Sequence, residues 1–428
     1  MSTLEAKTRI KWILKLPFQT DLARFLVKYW QFIIFALATQ IVSILHSPSK
    51  SISDSNLAFC NYYISKLQIF HVHIDCDAQY FLLDSQDPMR LIRDQTPLQD
   101  RPLYTLLAFL MSRLLNWIGF PSGPITYLGE DNIPQTYNLL NYGVFIFLNT
   151  LVLVISLVIV LKVFNENRLV KSTLTTCIIV LAVVTTAQNP VTREFFWTPH
   201  SQMFNILIPV VLFYLIQPNF LPSKKQYYWI LICVSVALLM YPTFAIVLPI
   251  FFVKTWRSLG RIKALTIFVV LIPKVLWPVI LKELGGNYLD WPFVGHRRFI
   301  WILDSIKGNT LVNDVQVHVL EFMHSLPVSW TILCLIFLVV GIYQFKSLRS
   351  SLKTSELKYF LDATFVFLIY ALGLILNGEY GARFTTGLVI FLSLVVLSVF
   401  EKVNFQSKFW TALILVAILT NSAFWLTN

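Results

Sequence analysis

Apolar runs separated by short polar segments recur along almost the whole chain. A run of about twenty apolar residues is long enough to cross a bilayer as a helix. The runs lie near residues 29–46, 103–120, 138–161, 172–187, 201–217, 227–253, 264–281, 327–345, 359–376, 383–400 and 409–426. This pattern predicts an all-α, polytopic integral membrane protein with about 11 transmembrane helices.

The composition agrees with a membrane protein. Hydrophobic residues make up 56% of the 428 residues and charged residues only 13%, which excludes an ordinary soluble domain and a disordered chain. Positive charge is concentrated in residues 1–28 and in two short loops, 254–263 and 346–358. Such placement is typical of the cytoplasmic side of a membrane. The net charge of +12 therefore indicates contacts with lipid headgroups and not with nucleic acid.

We accordingly divide the chain into a basic cytoplasmic N-terminal segment, 1–28, and a single transmembrane domain, 29–426. Two longer polar loops, 47–102 and 282–326, are predicted to lie outside. The first holds seven aspartates against five basic residues, and we expect it to form short amphipathic helices. A plasma membrane is predicted, and a bacterial inner membrane is favoured because the chain has no Asn-x-Ser/Thr sequon.

Two topologies remain open between residues 103 and 253. In one, run 103–120 crosses the membrane and run 227–253 is a single long helix. In the other, run 103–120 is re-entrant or lies along the interface, and run 227–253 is a hairpin broken at Tyr241-Pro242. We prefer the second topology because it leaves fewer basic residues outside, as the charge rule requires.

The most distinctive polar feature is Asp75-Cys76-Asp77, in the first outer loop. A carboxylate held at the membrane surface can act as a general base or bind a divalent cation. If residues 71–77 are extended, His71, His73, Asp75 and Asp77 project from one face and form a candidate site for Mg²⁺ or Mn²⁺. The alternative is a half-buried strand followed by an aspartate that caps a helix.

A helix from Asp77 onward would place Asp77, Tyr80, Phe81 and Asp84 on a common face. Its apolar residues would hold this short helix against the membrane surface, where the carboxylate could meet a lipid headgroup. A catalytic aspartate and a capping aspartate on an interfacial helix are equally compatible with the spacing.

Several charged residues near the outer surface are candidates for binding a phosphate. They are Arg101, Arg297, Arg298, Arg383 with the nearby Glu379, and Lys274. Arginine pairs well with phosphate oxygens, and a cation within an apolar run is costly unless it faces water or an anion. The simpler explanations are a helix that starts at Pro102, snorkelling towards headgroups, and exposure of Lys274 to water by the prolines beside it.

Together these motifs resemble the GT-C superfamily, polytopic glycosyltransferases that take a sugar from a polyprenyl-phosphate carrier. The similar segments are Asp75-Cys76-Asp77, Arg101-Pro102-Leu103, Thr192-Arg193-Glu194 with Thr198-Pro199-His200, and the turn from Glu379 to Arg383. The superfamily carries an aspartate pair beyond the first span, so the resemblance implies that Asp77, or secondarily Asp75, is the base. Arg193 and His200 fall in a later outer motif, so the resemblance implies that they bind the substrate or its phosphate. This motif often has an acidic residue in place of His200.

The resemblance implies transfer of a sugar from a polyprenyl-phosphate-linked donor to a lipid, glycan or protein acceptor on the outer face. A single displacement would invert the anomeric configuration, and the arginines would hold the departing phosphate. Two other functions stay open, a polysaccharide polymerase or flippase for lipid-linked glycans and a transporter. A transporter would typically show buried charges in several spans and related halves, and the sequence shows few of the former and none of the latter.

Overall fold

The structure is a computed structural model that describes residues 62–67, 70–74, 76–93, 96–128, 134–166, 173–286, 300–326, 354–378 and 382–402. The predicted runs 29–46, 327–345 and 409–426, and the N-terminal segment 1–28, lie outside these residues.

Most of the described residues are helical. The α-helices, numbered α1 to α15 in chain order, are Cys76–Gln86, Arg90–Arg93, Pro102–Trp117, Leu139–Glu166, Thr173–Ala187, Pro190–Phe195, Phe204–Leu215, Lys224–Met240, Val247–Leu259, Arg261–Leu265, Ile272–Glu283, Ile300–Gly308, Leu311–Ser325, Thr354–Asn377 and Ala382–Lys402. Short 3₁₀ helices at Pro97–Asp100, Ser201–Met203, Pro242–Ile246 and Thr266–Leu271 join several of them.

Three helical stretches in the described part of the chain are long and apolar enough to cross a membrane. They are Leu139–Phe164, Arg261–Glu283 and Lys358–Asn377, which match the predicted runs 138–161, 264–281 and 359–376. Three shorter apolar helices, Ile178–Ala187, Ser201–Leu215 and Arg383–Ser398, fall within other predicted runs. The helical character is therefore confirmed, whereas the number of about 11 transmembrane helices stays a prediction.

Two small β-hairpins correct the prediction of an all-α chain. Strand β1, Tyr62–Leu67, pairs antiparallel with β2, Phe70–Ile74, and β3, Pro124–Leu128, pairs antiparallel with β4, Pro134–Asn138. The first hairpin lies in the polar segment 47–102, for which we expected short helices and considered an extended stretch only at residues 71–77. Both pairs are rich in aromatic and β-branched residues, which favour strands, but the runs are too short to stand out beside the long apolar helices.

The apolar run 227–253 is a hairpin and not one long helix. Helix α8 ends at Met240, Tyr241 is extended, and a 3₁₀ turn begins at Pro242. The ring centroids of Tyr227 and Phe251 are 6.0 Å apart, although a continuous helix would separate these residues by about 36 Å. Proline disfavours helical geometry in the residue before it, which explains the break. The chain path agrees with our preferred topology; the membrane side of each segment stays a prediction.

Helix α3, Pro102–Trp117, covers most of run 103–120. Its 16 residues span about 24 Å, less than the hydrocarbon thickness of about 30 Å. One face, which includes Tyr104 and Ala108, is buried, whereas Leu110, Leu114 and Trp117 on the rest of the helix are exposed. A helix this short with one packed face fits the re-entrant or interfacial alternative better than a full crossing.

Helix α7, Phe204–Leu215, is almost entirely buried and packs against α4, α9 and α15. At its C-terminal end, Lys254 of α9 donates hydrogen bonds to the carbonyls of Ile216 and Gln217, each at 3.2 Å. The same Nζ lies 3.0 Å from Asp362 of α14, which also accepts two hydrogen bonds from Arg257 at 2.9 Å. The sequence predicted that Lys254 contacts headgroups, but it is buried and joins three helices.

Candidate functional site

Asp77 lies in the first turn of helix α1, Cys76–Gln86, in the polar segment 47–102. Ala78, Phe81 and Leu82 of this helix are fully buried, and α1 packs on α3 and α4. The Asp77 side chain lies at the edge of the packed face and remains 52% exposed. Burial of the neighbouring residues therefore fixes the helix, while the Asp77 carboxylate stays accessible.

The face predicted to carry Asp77, Tyr80, Phe81 and Asp84 is largely the packed face of α1. Phe81 and Asp84 have no exposed area. The Asp84 carboxylate accepts a hydrogen bond from Nε of Arg90 at 3.2 Å. Of the two aspartates, only Asp77 is accessible enough to meet a substrate.

His200 is the nearest described partner of Asp77. Its Nε2 lies 3.1 Å from Oδ2 of Asp77, and its Nδ1 accepts a hydrogen bond from the backbone N–H of Gln202 at 3.1 Å. Because Nδ1 is an acceptor, the hydrogen of the neutral ring is assigned to Nε2, which donates to Asp77. The ring is buried between Phe81 and Phe195, at centroid distances of 5.2 and 5.0 Å.

The turn that carries His200 is held by buried hydrogen bonds. Nδ2 of Asn149, in helix α4, donates to the carbonyl oxygens of Phe195 at 3.0 Å and Thr198 at 2.9 Å. The Tyr104 hydroxyl in turn donates to Oδ1 of Asn149 at 2.9 Å. Side chains of α3 and α4 thus hold the turn that carries His200, which leaves its ring little freedom to rotate away from Asp77.

Arg101 approaches the same region from the C-terminal end of the polar segment 47–102. Its Nε donates to Oδ1 of Asp100 at 3.0 Å, and its Nη1 donates to Oγ of Ser201 at 2.9 Å. The guanidinium carbon lies 5.9 Å from the ring centroid of Tyr241, within the range of a cation–π contact. Pro102 begins helix α3 directly afterwards. The start of a helix therefore explains the proline, but it does not explain the arginine before it.

Helix α11, Ile272–Glu283, supports the backbone that precedes Arg101. Nζ of Lys274 donates to the carbonyl of Asp100, and Nε1 of Trp277 donates to the carbonyl of Gln99 at 2.7 Å. Gly286, just after the helix, lies so close to the backbone of Ile92 that a Cβ would overlap its carbonyl oxygen. Lys274 therefore lies near Arg101, and its Nζ contacts the backbone carbonyl of the residue that precedes Arg101.

Arg383 lies in the first turn of helix α15, Ala382–Lys402. Its carbonyl oxygen accepts a hydrogen bond from Nδ2 of Asn205 at 3.0 Å, and its guanidinium carbon is 4.9 Å from the Phe384 ring centroid. Electrostatic attraction links Arg383, as well as Arg101, to Asp77. Two arginines from distant parts of the chain therefore act on one carboxylate.

These charges determine the protonation of Asp77. Burial alone would raise the pKa of the Asp77 carboxyl. The hydrogen bond from His200 and the positive charges of Arg101 and Arg383 outweigh burial and hold that pKa well below the usual range of an aspartate. Asp77 is thus ionised across the physiological pH range, because the bond from His200 and the two guanidinium groups favour its charged form.

Several predicted residues cannot be placed in the site. Asp75, Arg297, Arg298 and Glu379 lie outside the described residues. His71, His73 and Arg193 belong to described elements, strand β2 and helix α6, but their side chains are not among those the structure describes.

The extended conformation proposed for residues 71–77 is wrong, because strand β2 ends at Ile74 and helix α1 begins at Cys76. The alternation that would align Asp77 with the histidines is therefore broken. Among the described residues, no group of three or more His, Cys, Asp or Glu side chains is placed to hold a metal ion. The positive charges of Arg101 and Arg383, which attract the Asp77 carboxylate, also act against a divalent cation there. The predicted site for Mg²⁺ or Mn²⁺ on His71, His73, Asp75 and Asp77 is not tested by the described residues, because the first three side chains are not among them.

Sequence reasoning did not identify Gln202, Asn205 and the hydroxyl of Tyr241 as parts of the site. All three are buried, and their side chains hydrogen-bond to one another. The available signal was the pair Gln202 and Asn205, two amides three residues apart at the start of an apolar run. Polar side chains in such runs commonly hydrogen-bond between helices.

The fold and site define a mainly helical protein with three membrane-length helical stretches and a half-exposed carboxylate that is bonded to His200 and attracted by two arginines. Comparison of the chain with known protein families, with curated proteins and with solved structures finds no match.

Proposed function

We propose that this chain is a membrane glycosyltransferase of the GT-C type, which transfers a sugar from a polyprenyl-phosphate donor to an acceptor hydroxyl on the outer face. The observation that carries the proposal is the accessible Asp77 carboxylate, bonded to the buried His200 and attracted by Arg101 and Arg383. A general base beside cations suits a reaction in which a hydroxyl loses a proton and a phosphate leaves.

The chemistry is a single displacement. The acceptor oxygen forms a bond to the anomeric carbon as the bond from that carbon to the phosphate oxygen breaks. The hydroxyl proton passes to Asp77, and the lipid phosphate departs with the electron pair. Attack from the face opposite to the phosphate inverts the anomeric configuration.

The cations would hold the phosphate and stabilise the charge that develops on it. Arg101 and Arg383 are the described candidates for this role, with Lys274 supporting the backbone beside Arg101. Arg193, Arg297, Arg298 and Glu379 stay predicted contributors. A bound phosphate would offset the two guanidinium charges that hold the pKa of Asp77 low. The carboxylate would therefore become a stronger base when the donor is in place.

His200 has a different role in this proposal from the phosphate contact that the sequence suggested. Both ring nitrogens have protein partners, Asp77 and the Gln202 backbone. We therefore assign His200 to orienting the Asp77 carboxylate. A substrate phosphate would have to displace one of these bonds to reach the ring.

The long apolar helices would keep a polyprenyl-phosphate donor within reach of the site. Exposed Leu110, Leu114 and Trp117 of α3 lie on the helix that follows Arg101. In a bilayer these residues would face lipid, so the phosphate of a membrane-bound donor would sit at the level of Arg101. We propose the plasma membrane as the location, with the N-terminus in the cytoplasm.

The proposal is tested with purified protein in lipid nanodiscs and a panel of polyprenyl-phosphate sugars, by measuring release of the lipid phosphate and binding of each donor. Asp77→Asn should reduce turnover by at least about 100-fold, the usual contribution of a general base, while donor binding persists. Asp87→Asn is the matched control, because Asp87 lies in the same loop, is 50% exposed and pairs with Arg93 at 2.9 Å. It should keep wild-type activity.

The opposite results are equally informative. If no donor in the panel is consumed, or if Asp77→Asn turns over as fast as wild type, the glycosyltransferase proposal fails. Movement of a lipid-linked glycan across the bilayer, unaffected by Asp77→Asn, would instead identify a flippase or transporter. Chain extension without the need for Asp77 would identify a polymerase.

A further inference from the structure

The side chain of Gln202 lies where three parts of the candidate site meet. Its Oε1 accepts hydrogen bonds from the Tyr241 hydroxyl at 2.9 Å and from Nδ2 of Asn205 at 2.6 Å. A carbonyl oxygen has two lone pairs, so both are used. Its backbone N–H donates to Nδ1 of His200. Gln202, Tyr241 and Asn205 are each buried, with 3%, 3% and 1% exposed area.

One branch of this network leads to Arg101. The Tyr241 ring, fixed through its hydroxyl by Gln202, lies under the Arg101 guanidinium at 5.9 Å. Ser201, the residue before Gln202, accepts a hydrogen bond from the same guanidinium at 2.9 Å. The position of Arg101 thus depends on the segment 201–202 and on the ring that Gln202 anchors.

The second branch leads to Arg383. The amide of Asn205 has two hydrogens, and its Nδ2 bonds to Gln202 and to the carbonyl oxygen of Arg383. Helix α15 approaches α7 closely here. A Cβ at Gly387, one turn after Arg383, would overlap the hydroxyl of Tyr370 and lie 3.0 Å from the carbonyl of Asn205. The first turn of α15 is therefore held against Asn205 by a hydrogen bond and by close packing.

The third branch leads to Asp77 itself. The bond from the Gln202 backbone to Nδ1 of His200 sets the ring so that Nε2 donates to the carboxylate. One residue therefore connects the partner of Asp77 with both arginines that act on it. The side chain of Gln217, another buried amide just after helix α7, donates to the carbonyl of Phe213 at 2.9 Å, four residues earlier in the chain.

We infer that Gln202 is a positioning residue that fixes the spacing of Arg101 and Arg383 around Asp77. A site that must receive one phosphate needs its two guanidinium groups at a set separation, since each contributes only when it is aimed at the same anion. The catalytic meaning of this spacing rests on the proposed function, but the coupling of the two arginines through Gln202 does not.

The first test measures the arginines directly. Purified protein in nanodiscs is treated with phenylglyoxal, a reagent selective for arginine, and the modification rates at residues 101 and 383 are followed by mass spectrometry. Gln202→Met removes the acceptor oxygen and keeps the side-chain length. It should raise the rate at both arginines several-fold. Gln217→Met, the matched control, should raise neither.

Two further variants separate the branches. Tyr241→Phe removes the hydroxyl bond to Gln202 and should raise the rate mainly at Arg101. Asn205→Leu removes the bond to the Arg383 carbonyl and should raise the rate mainly at Arg383. If Gln202→Met does not fold, these two variants still test whether the bonds to Gln202 hold the two arginines in position. The inference is overturned if folded Gln202→Met leaves both rates unchanged, if Gln217→Met raises them equally, or if each branch variant affects the two arginines alike.

The second test uses turnover once a donor is known. Gln202→Met should raise the KM for the polyprenyl-phosphate sugar about tenfold, or about 1.4 kcal/mol, with a smaller change in kcat. A purely structural role would lower the amount of folded enzyme without changing KM. If no donor is found, the proposed function fails while the modification rates still decide the role of Gln202.

Discussion

Nε2 of His200 lies 3.1 Å from Oδ2 of Asp77, although 123 residues separate them along the chain. The histidine is buried, and the aspartate is half exposed. The buried partner is therefore the fixed one, and it determines where the accessible carboxylate points. The bond also favours the ionised form of Asp77, because a donor to a carboxylate stabilises its charge.

Replacing His200 by asparagine should shift the acid limb of the pH–rate profile to higher pH. Asparagine is a good helix cap and can still accept the Gln202 N–H, but it is too short to reach Asp77. Without that donor the pKa of Asp77 rises, so the base is protonated at a higher pH. A hydrogen bond to a charged group contributes about 1.5 kcal/mol, and less for a half-exposed carboxylate such as Asp77, so the shift should be at most about one pH unit. The measurement is kcat/KM against pH, and an unmoved acid limb would show that His200 does not set the protonation of Asp77.

The low pKa of Asp77 also predicts how stability depends on acid. A carboxyl whose pKa is lower in the folded protein than its ordinary value near 3.9 stabilises the fold above that value. This contribution is lost as the pH falls through the folded pKa. The difference in unfolding temperature between wild type and Asp77→Asn should therefore be constant from pH 7 to pH 5 and shrink below about pH 4. A difference that grows in acid would contradict the lowered pKa.

Loss of Asp362 should destabilise the protein strongly. Its carboxylate is buried and pairs with Lys254, which is also buried, and with Arg257. Asp362→Ala leaves the Lys254 charge without its counter-ion, and breaking a buried pair in this way typically costs about 3–5 kcal/mol. Thermal unfolding in detergent or nanodiscs measures the loss. Asp87→Ala, which removes an exposed pair with Arg93, should change stability by less than about 1 kcal/mol. Equal effects of the two substitutions would mean that the buried pair is not important for stability.

Local signals in the sequence predicted much of the helical framework. Apolar length alone located the stretches Leu139–Phe164, Arg261–Glu283 and Lys358–Asn377, because a membrane-length helix needs only consecutive apolar residues. The break at Tyr241 followed from Pro242 in the same way. The alternation of histidine with apolar residues indicated an extended stretch near Ile74, but nothing in the sequence pointed to strand Tyr62–Leu67 or to its pairing with Phe70–Ile74.

The site was predictable only in part. Asp77, Arg101 and Arg383 stood out because charges are rare in an apolar chain, but their convergence is a property of the fold. The pairing of His200 with Asp77 depends on the packing of the 190–205 segment against α4, which no local pattern encodes. Gln202 and Asn205 gave a weak signal, since an amide in an apolar helix can serve any neighbouring helix. The burial of Lys254 was missed because its partner, Asp362, lies in another apolar run.

The segment before Arg101 should be sensitive to a single methyl group at Gly286. A Cβ there would overlap the carbonyl oxygen of Ile92, and backbone atoms on both sides leave little room to move. Gly286→Ala should therefore push helix α11 away from the loop and disturb the bonds of Lys274 and Trp277 to the Asp100 and Gln99 carbonyls. We expect a lower unfolding temperature and, because Arg101 follows this backbone directly, faster phenylglyoxal modification at Arg101 than at Arg383.

The matched control is Gly143→Ala in helix α4. No atom lies within 4 Å of a Cβ at that position, and alanine is a better helix former than glycine by about 1 kcal/mol. Gly143→Ala should therefore leave stability unchanged or raise it, with both arginine rates at wild-type values. If Gly286→Ala behaves like this control, α11 does not support the Arg101 segment. If it lowers stability but leaves the rate at Arg101 unchanged, the contact serves the fold alone, and the position of Arg101 depends on Ser201 and Tyr241.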